Sequence, residues 1–169
     1  SQILNDKAII AAITQSGVPY EEAVHYVCGG CMEIGIQGKN SDLLYVGWHN
    51  IPKMLELMIT GGVCLKTGKR INSFKATKGL WSYTSFDEFY QAFLEEMFSD
   101  LEIAYEYDNK YNSIRAKDIN YLSSIFFQGC IEKAKSLTQG AGDVVIASPM
   151  YMGIANVIDS LIIVKQFLF

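Results

Sequence analysis

The sequence predicts a helix-rich α/β fold with a few short extended segments near glycines. Two observations lead to this prediction. First, apolar residues recur at helical spacing after residues that typically begin helices. Second, the stretches between these segments lack helical spacing and contain glycines or β-branched residues. The 169 residues are 50% hydrophobic and 19% charged, which is enough apolar content for one good core.

The individual elements follow from caps, breakers and periodicity. Each predicted helix begins at a capping residue, a proline or a glycine, and most end at glycines or polar connections. The predicted helices cover about 5–16, 20–27, 50–60, 85–107, 119–136 and 153–169. Between them, residues 28–49 show no helical period and are interpreted as a strand or extended loop with turns at Gly35, Gly38 and Gly47. A short β-branched run lies at 144–146.

Composition and charge exclude several classes of protein. A net charge of -4 argues against a nucleic-acid partner, because nucleic-acid binders usually present a basic face. The hydrophobicity is too high for a disordered chain. The sequence contains no run of 18 apolar residues, so it predicts no membrane span. Because no secretory signal opens the chain, we expect a cytoplasmic location with reduced thiols. The apolar ending at 165–169 leads us to expect a piece of a larger protein.

The most suggestive chemical pattern is a pair of cysteines separated by two glycines, Cys28 and Cys31. A thiol-redox pair normally lies at a helix N-terminus after a strand, whereas this pair follows a predicted helix. A zinc site needs a second pair of ligands, and no such pair is spaced suitably, so no metal is expected. Two thiols that merely pack in the interior remain the alternative.

A carboxylate lies two residues after the second thiol. In an extended strand, residues i and i+2 point to the same side, so Cys31 and Glu33 are predicted to line one pocket. A sulfur that takes an atom and a carboxyl group that moves a proton form a plausible catalytic pair. The glycines before Cys31 would let another backbone approach closely.

Five ordered blocks make the sequence resemble the glycyl radical enzymes, the family of pyruvate formate-lyase and its dehydratase and lyase relatives. The first block contains Gly30-Cys31-Met32-Glu33, and the others follow the family's motifs in the same order. These blocks are 4–33 with the G-C-M-E string, 38–57 with G-K and N-I-P-K-M-L-E-L, 86–89, 123–131 with G-C-I, and 153–165 with G-I-A-N. Together they span essentially the whole chain.

The resemblance implies both a fold and a mechanism. It implies that residues 1–169 are a single partial domain, a helix-rich fragment of a ten-stranded β/α barrel. Cys31 would become a thiyl radical that abstracts hydrogen from a small-molecule substrate, and Glu33 would be the general acid or base. No cofactor would bind directly. A glycyl radical outside this chain would be installed by a radical S-adenosylmethionine activating enzyme, and the remainder of the barrel or a homo-oligomer would complete the fold.

Departures from the family pattern shape the predicted pocket. The R-V-x-G glycyl motif is absent from the sequence, and Tyr45 falls where diol dehydratases have the Asp of G-W-H-D. A shifted G-W-H-N string ends in His49 and Asn50, and an amide cannot transfer a proton as a carboxylate does. We therefore predict Tyr45, His49 and Asn50 as substrate-binding residues. The family's G-G-A-x-Y-N reads G-A-G-D-V-V at 140–145, which indicates a reshaped or decayed pocket.

Two alternatives stay open at this point. One is a non-catalytic truncated or complementing fragment with no activity alone. The other is a thiol-redox module that uses Cys28 and Cys31.

Overall fold

A computed structural model describes residues 5–29, 33–40, 45–144 and 148–169. Its α-helices are α1 (Asp6–Gln15), α2 (Tyr20–Ala23), α3 (Ile51–Thr60), α4 (Phe86–Arg115), α5 (Tyr121–Ser124) and α6 (Ile154–Phe167). Its strands are β1 (Tyr26–Gly29), β2 (Glu33–Ile36), β3 (Tyr45–Asn50) and β4 (Ser148–Met152). The predicted mixed α/β content is confirmed.

The chain divides into two compact units. The first unit comprises Ser1–Val46 and Asp108–Ser148. Within it, β1 and β2 form an antiparallel hairpin. Helices α1 and α2 precede this hairpin in the sequence. Its main core consists of buried aliphatic residues from these elements and from the bridge that pairs Asn40 with Val144: Ile13, Val18, Ala23, Ile36 and Val144.

The second unit comprises Gly47–Tyr107 and Pro149–Phe169. Here α3 packs against α6, and β3 pairs with β4 in a two-stranded sheet. The core of this unit is larger and more aromatic than that of the first. Its largest fully buried side chains are Met58, Phe89 and Phe93.

Local chemistry explains why three helices begin where the sequence predicts. The side-chain oxygen of Asn5 accepts a hydrogen bond from the backbone N–H of Ala8 at 3.3 Å and caps α1. At the start of α3, Asn50 accepts from the N–H of Lys53 in the same way, at 3.1 Å. Gly153 precedes α6 with a φ of 77°, a left-handed conformation that favours glycine.

The lengths of two other helices differ from the prediction. The second helix ends after one turn at Ala23, because the chain enters β1 at Tyr26 and pairs there with Ile36. The long helix α4 continues to Arg115, eight residues beyond the predicted end at Tyr107. Its polar last turns are supported locally, since Asn112 donates to the carboxylate of Asp108 at 2.8 Å.

The predicted helix over 119–136 is wrong over most of its length. Only α5 is helical there, and turns follow it in which Gly129 has a φ of 90° and Ala134 a φ of 48°. Serine side chains replace the helical hydrogen bonds: Ser124 Oγ accepts from the N–H of Leu137 at 2.9 Å, and Ser136 Oγ accepts from that of Asn120 at 3.1 Å. As a result, several large apolar side chains are more than half exposed: Tyr121, Leu122, Ile125, Phe126 and Ile131.

The extended stretches also differ in detail. Gly38 lies in a turn with a φ of 75°, as predicted, but Gly35 lies inside β2 and Gly47 inside β3. The sequence did not predict β4. Of the β-branched run at 144–146, Val144 forms the bridge to Asn40, and the other two residues lie outside the described part of the chain. Within the described ranges, no helix is long and apolar enough to cross a membrane.

Candidate active site

The hairpin of the first unit positions the predicted catalytic carboxylate. Strand β1 pairs with β2 in the register that runs from Tyr26 opposite Ile36 to Gly29 opposite Glu33. Glu33 therefore belongs to the last pair before the connection between the two strands, and it is half-buried. The connecting residues 30–32, which include Cys31, lie outside the described residues.

Chain geometry nevertheless limits the separation of the two predicted catalytic residues. In any polypeptide, the Cα atoms of residues two positions apart are separated by at most about 7 Å. This limit applies to Cys31 and Glu33, whatever the conformation of the chain between them. The sequence pattern thus guarantees proximity of the two backbones. The direction of the Cys31 side chain relative to Glu33 stays a prediction.

Side-chain contacts fix both strands of this hairpin. The hydroxyl group of Tyr26 on β1 donates to Asp6 Oδ1 at 2.6 Å, and this hydrogen bond to a carboxylate raises the pKa of Tyr26 to about 12. On β2, the N–H of Ile36 donates to Asn40 Oδ1 at 2.5 Å. A Cβ atom at Gly35 would lie 3.1 Å from the Asn40 side chain, so the glycine permits this close approach.

The cysteine pair is only partly described. Cys28 is a free, exposed cysteine on β1, opposite Ile34 in the register. Its C-x-x-C partner, Cys31, lies outside the described residues, and the thiol-redox interpretation stays a prediction. Among the residues that the structure describes, no cluster of three or more His, Cys, Asp or Glu residues could hold a metal ion.

His49, predicted as a substrate-binding residue, lies in the second unit within a polar network. Its ring is 4% exposed, and its Nδ1 is 2.5 Å from Asp100 Oδ2 on α4. The ring of Tyr151 on β4 packs against it, with ring centroids 5.3 Å apart. Burial is the main cause that raises the pKa of Tyr151. This arrangement orients the imidazole ring through its contact with a carboxylate.

Sequence reasoning missed the contacts of His49 with Asp100 and Tyr151. Asp100 lies 51 residues later along the chain, on a helix surface where many acidic residues occur. Tyr151 lies on β4, the strand that the sequence did not predict. No local spacing pattern connects these positions, so only the tertiary fold brings them together.

The two other predicted substrate-binding residues are placed as follows. The side chain of Asn50 is engaged in capping α3, and the residue is exposed. Tyr45 begins β3, and its side chain lies outside the described part of the structure. Their contact with a substrate stays a prediction.

Comparison with known proteins agrees with the fold and the sequence blocks. A model of the pyruvate formate lyase-like family matches residues 1–169. The chain is 32% identical over 180 residues to the (2S)-3-sulfopropanediol dehydratase of Klebsiella oxytoca, a match that covers 99% of this chain and 20% of that protein. It is 30% identical over 166 residues to the trans-4-hydroxy-L-proline dehydratase of Clostridioides difficile, which covers 98% of this chain and 21% of the relative.

The fold has a solved counterpart as well. The B12-independent glycerol dehydratase from Clostridium butyricum, in its glycerol-bound form, superimposes with a TM-score of 0.86 at 30% identity over 98% of this chain and 21% of that one. The chain thus spans about a fifth of the length of the relatives it matches. With the whole chain matched by one family model, and with dehydratases and lyases as relatives, the protein belongs to the pyruvate formate lyase-like family of glycyl radical enzymes, on its dehydratase and lyase branch.

Proposed function

We propose that this chain is the part of a glycyl radical dehydratase or lyase that contains the hydrogen-abstracting cysteine, Cys31, and the proton-transferring carboxylate of Glu33. The observation that supports this most strongly is the β1–β2 hairpin. Its closing pair, Gly29 and Glu33, flanks the three residues that contain Cys31, within a chain that matches the family over its whole length.

The corresponding proposal for the fold is a partial domain. We infer that residues 1–169 are a helix-rich portion of the ten-stranded β/α barrel that the family resemblance implies. The remainder of the barrel, or a homo-oligomer, would then cover the exposed apolar side chains of the 119–131 segment. The share of the relatives that the chain spans, about a fifth, is compatible with this role.

The proposed reaction begins at the sulfur of Cys31. Cys31 would give its S–H hydrogen atom to a glycyl radical on a residue outside this chain, so that the unpaired electron moves to the sulfur. A radical S-adenosylmethionine activating enzyme would install that glycyl radical. Cys31 then takes a hydrogen atom from a substrate carbon: a C–H bond breaks and an S–H bond forms. Glu33 transfers a proton to or from the neighbouring substituent as that group departs. The residues fit this chemistry, since a carboxylate lies two residues after the thiol and two glycines precede the thiol.

The substrate class follows from the relatives' names. They include dehydratases of a sulfonated propanediol and of hydroxyproline and a sulfite-lyase of isethionate. We propose a small polar substrate that loses water or another small group. Tyr45, His49 and Asn50 are proposed as substrate contacts on the basis of sequence. Because Tyr45 falls where diol dehydratases have an aspartate, a simple vicinal diol is the less favoured substrate.

The decisive experiment uses the full-length protein that contains this sequence. The protein is activated anaerobically by its activating enzyme, the glycyl radical is quantified by electron paramagnetic resonance, and product formation is measured with hydroxylated and sulfonated substrates. Cys31→Ala should keep the radical signal and abolish turnover. Glu33→Gln should lower turnover by about 10²-fold or more, the usual contribution of general acid–base catalysis.

Cys28→Ser is the matched control, because Cys28 is an exposed thiol in the same hairpin. Its turnover should remain within about twofold of the wild type, since general acid–base and radical steps do not need it. Turnover that survives Cys31→Ala would refute the assignment. Equal losses for Cys28→Ser and Cys31→Ala would favour the thiol-redox module. A wild-type protein that acquires no radical signal would favour the non-catalytic fragment.

A further inference from the structure

A charged cluster in the second unit surrounds a cysteine that the proposed reaction does not use. Cys64 follows α3 and is 6% exposed. The ammonium group of Lys53, on the first turn of α3, donates a hydrogen bond to Cys64 Sγ at 2.9 Å. The same ammonium group pairs with the carboxylate of Glu56 one helical turn later. Cys64 is therefore one member of a three-residue charged cluster.

The turn after α3 holds the sulfur in place. The N–H of Cys64 donates to the carbonyl oxygen of Lys69 at 2.9 Å, and the N–H of Gly68 donates to the carbonyl oxygen of Cys64 at 2.8 Å. Glu56 also accepts from the N–H of Leu65 at 2.9 Å, which fixes the carboxylate that orients Lys53. Helix and turn thus position both sides of the sulfur–ammonium contact.

This environment favours the thiolate form of Cys64. The hydrogen bond from Lys53 is the largest cause that lowers its pKa to about 7, followed by hydrogen bonds from Thr67 and from the backbone N–H of Lys66. Glu56 faces the sulfur's partner rather than the sulfur itself, because its carboxylate is bonded to Lys53. Thiolates, not thiols, are the nucleophilic form of cysteine.

Cys130 supplies the contrast within the same chain. It is 3% exposed, comparable to Cys64, and it packs in an apolar cluster with the charged side chains of Lys133, Glu132 and Asp143 nearby. Among the described residues, no ammonium group donates a hydrogen bond to its sulfur. Burial raises its pKa above its ordinary value of 9.0. Two buried cysteines of one protein therefore differ mainly in the ammonium group and the hydrogen bonds at the sulfur.

We propose that the Cys64–Lys53–Glu56 cluster is a peroxide-sensitive modification site, at which small hydroperoxides oxidise Cys64 selectively. The thiolate sulfur attacks one peroxide oxygen, so that an S–O bond forms and the O–O bond breaks. The sulfur is oxidised by two electrons to a sulfenic acid, and the peroxide is reduced. The departing oxygen takes a proton from the Lys53 ammonium group and leaves as water or an alcohol.

The surface next to the cluster is open to small molecules. A pocket of about 220 Å³ lies along α3 and α6, and both Glu56 and Leu65 line it. Glu56 contacts Lys53 and Leu65 adjoins Cys64, so the pocket borders the cluster directly. The side chains of Lys53 and Glu56 are themselves 32% and 27% exposed. We infer that a small hydroperoxide approaches the cluster from this pocket, on the side of Glu56 and Leu65.

The expected selectivity follows from the opposite directions of the two pKa shifts. Near neutral pH a large share of Cys64 is thiolate, whereas burial keeps Cys130 in the thiol form. A thiolate of lower pKa is intrinsically less nucleophilic, with a Brønsted coefficient of about 0.4–0.5, and this offsets only part of the advantage of Cys64. We therefore expect Cys64 to react about fivefold faster or more.

The test exposes the reduced full-length protein to hydrogen peroxide at pH 7 with dimedone present to trap sulfenic acid. Mass spectrometry then follows the label at each cysteine with time. Cys64 should be labelled at least about fivefold faster than Cys130. Lys53→Met should bring the rate at Cys64 to within about twofold of that at Cys130, whereas Lys53→Arg, which keeps the positive charge, should preserve most of the selectivity.

The wild-type comparison needs no variant, so a misfolded substitution cannot hide the answer. Labelling of Cys64 no faster than Cys130 would overturn the proposal. A Lys53→Met protein that keeps native circular dichroism and the wild-type labelling rate would also overturn it, because the ammonium group would then have no influence. Neither outcome bears on Cys31, so this proposal and the proposed function can fail independently.

Discussion

The contact between Gly153 and Pro52 allows the packing of α3 against α6 to be tested by one methyl group. Gly153 caps α6 with a φ of 77°, and a Cβ atom added there would lie 2.3 Å from Pro52 Cγ and 2.8 Å from its Cδ. Carbon atoms in contact normally lie about 3.5–4.0 Å apart. The ring of Pro52 cannot rotate away, because its own backbone fixes it at the start of α3.

The cost of Gly153→Ala has two parts. A left-handed backbone conformation costs an L-residue about 1–2 kcal/mol. Relief of the clash by movement of either helix adds about 1–3 kcal/mol, as overpacking in a filled site does. We therefore expect a loss of about 2–5 kcal/mol in the free energy of unfolding.

Gly68→Ala is the matched control for this prediction. Gly68 also has a positive φ, 65°, and lies in the same unit, but nothing lies within 4 Å of the position its Cβ would take. Its substitution should cost only the backbone part, about 1–2 kcal/mol. Urea unfolding followed by circular dichroism, with m-values compared, measures both variants. Equal destabilisation within about 0.5 kcal/mol would refute the proposed close contact of α6 with α3.

Two further perturbations test the polar networks of the second unit. Asp100→Ala should destabilise the protein by about 1–3 kcal/mol, because it removes the carboxylate that contacts the buried His49 ring. The control Glu102→Gln, an exposed change on the same helix, should cost less than about 0.5 kcal/mol. Equal losses of the two variants in thermal unfolding would contradict the His49–Asp100 contact. Folding lowers the pKa of Cys64 from its ordinary value of 9.0 to about 7, and this shift stabilises the folded state. The stabilisation is fully present above about pH 9, and it is lost as the pH falls through about 7. The free energy of unfolding should therefore rise more steeply between pH 6 and 9 in the wild type than in a Cys64→Ser variant, and parallel pH profiles from denaturant titrations would rule out the thiolate contact with Lys53.

Part of the fold could be predicted from the sequence, because it depends on interactions between residues close together in the chain. The starts of α1 and α3 follow from Asn5 and Asn50, whose side chains bond to an N–H three residues later. Because these interactions close within one helical turn, residue identity and spacing are sufficient to predict them. Gly153 marks the start of α6 for a comparable reason.

Other elements depend on partners distant in sequence, and the prediction failed there. The segment over 119–136 has helical apolar spacing, yet Ser124 and Ser136 accept hydrogen bonds from backbone N–H groups 13 and 16 residues away. A Cβ atom at Gly129 would lie 2.4 Å from Asp143 Oδ1, so the chain bends there to meet a distant residue. Helix α4, by contrast, is longer than the sequence predicts and continues beyond its apolar residues. Side-chain pairs such as Asp108 and Asn112 stabilise this exposed part of the helix without packing against a core.

The sequence by itself determined the family, the mixed α/β class and the adjacency of Cys31 and Glu33, since ordered motifs and a two-residue separation are properties of the chain. Only the tertiary structure decided that His49 contacts Asp100 and that Cys64 meets Lys53. The physical reason is the range of the interactions. A cap or a hairpin connection closes within a few residues, whereas these contacts join separate elements and exist only once the cores between them have packed.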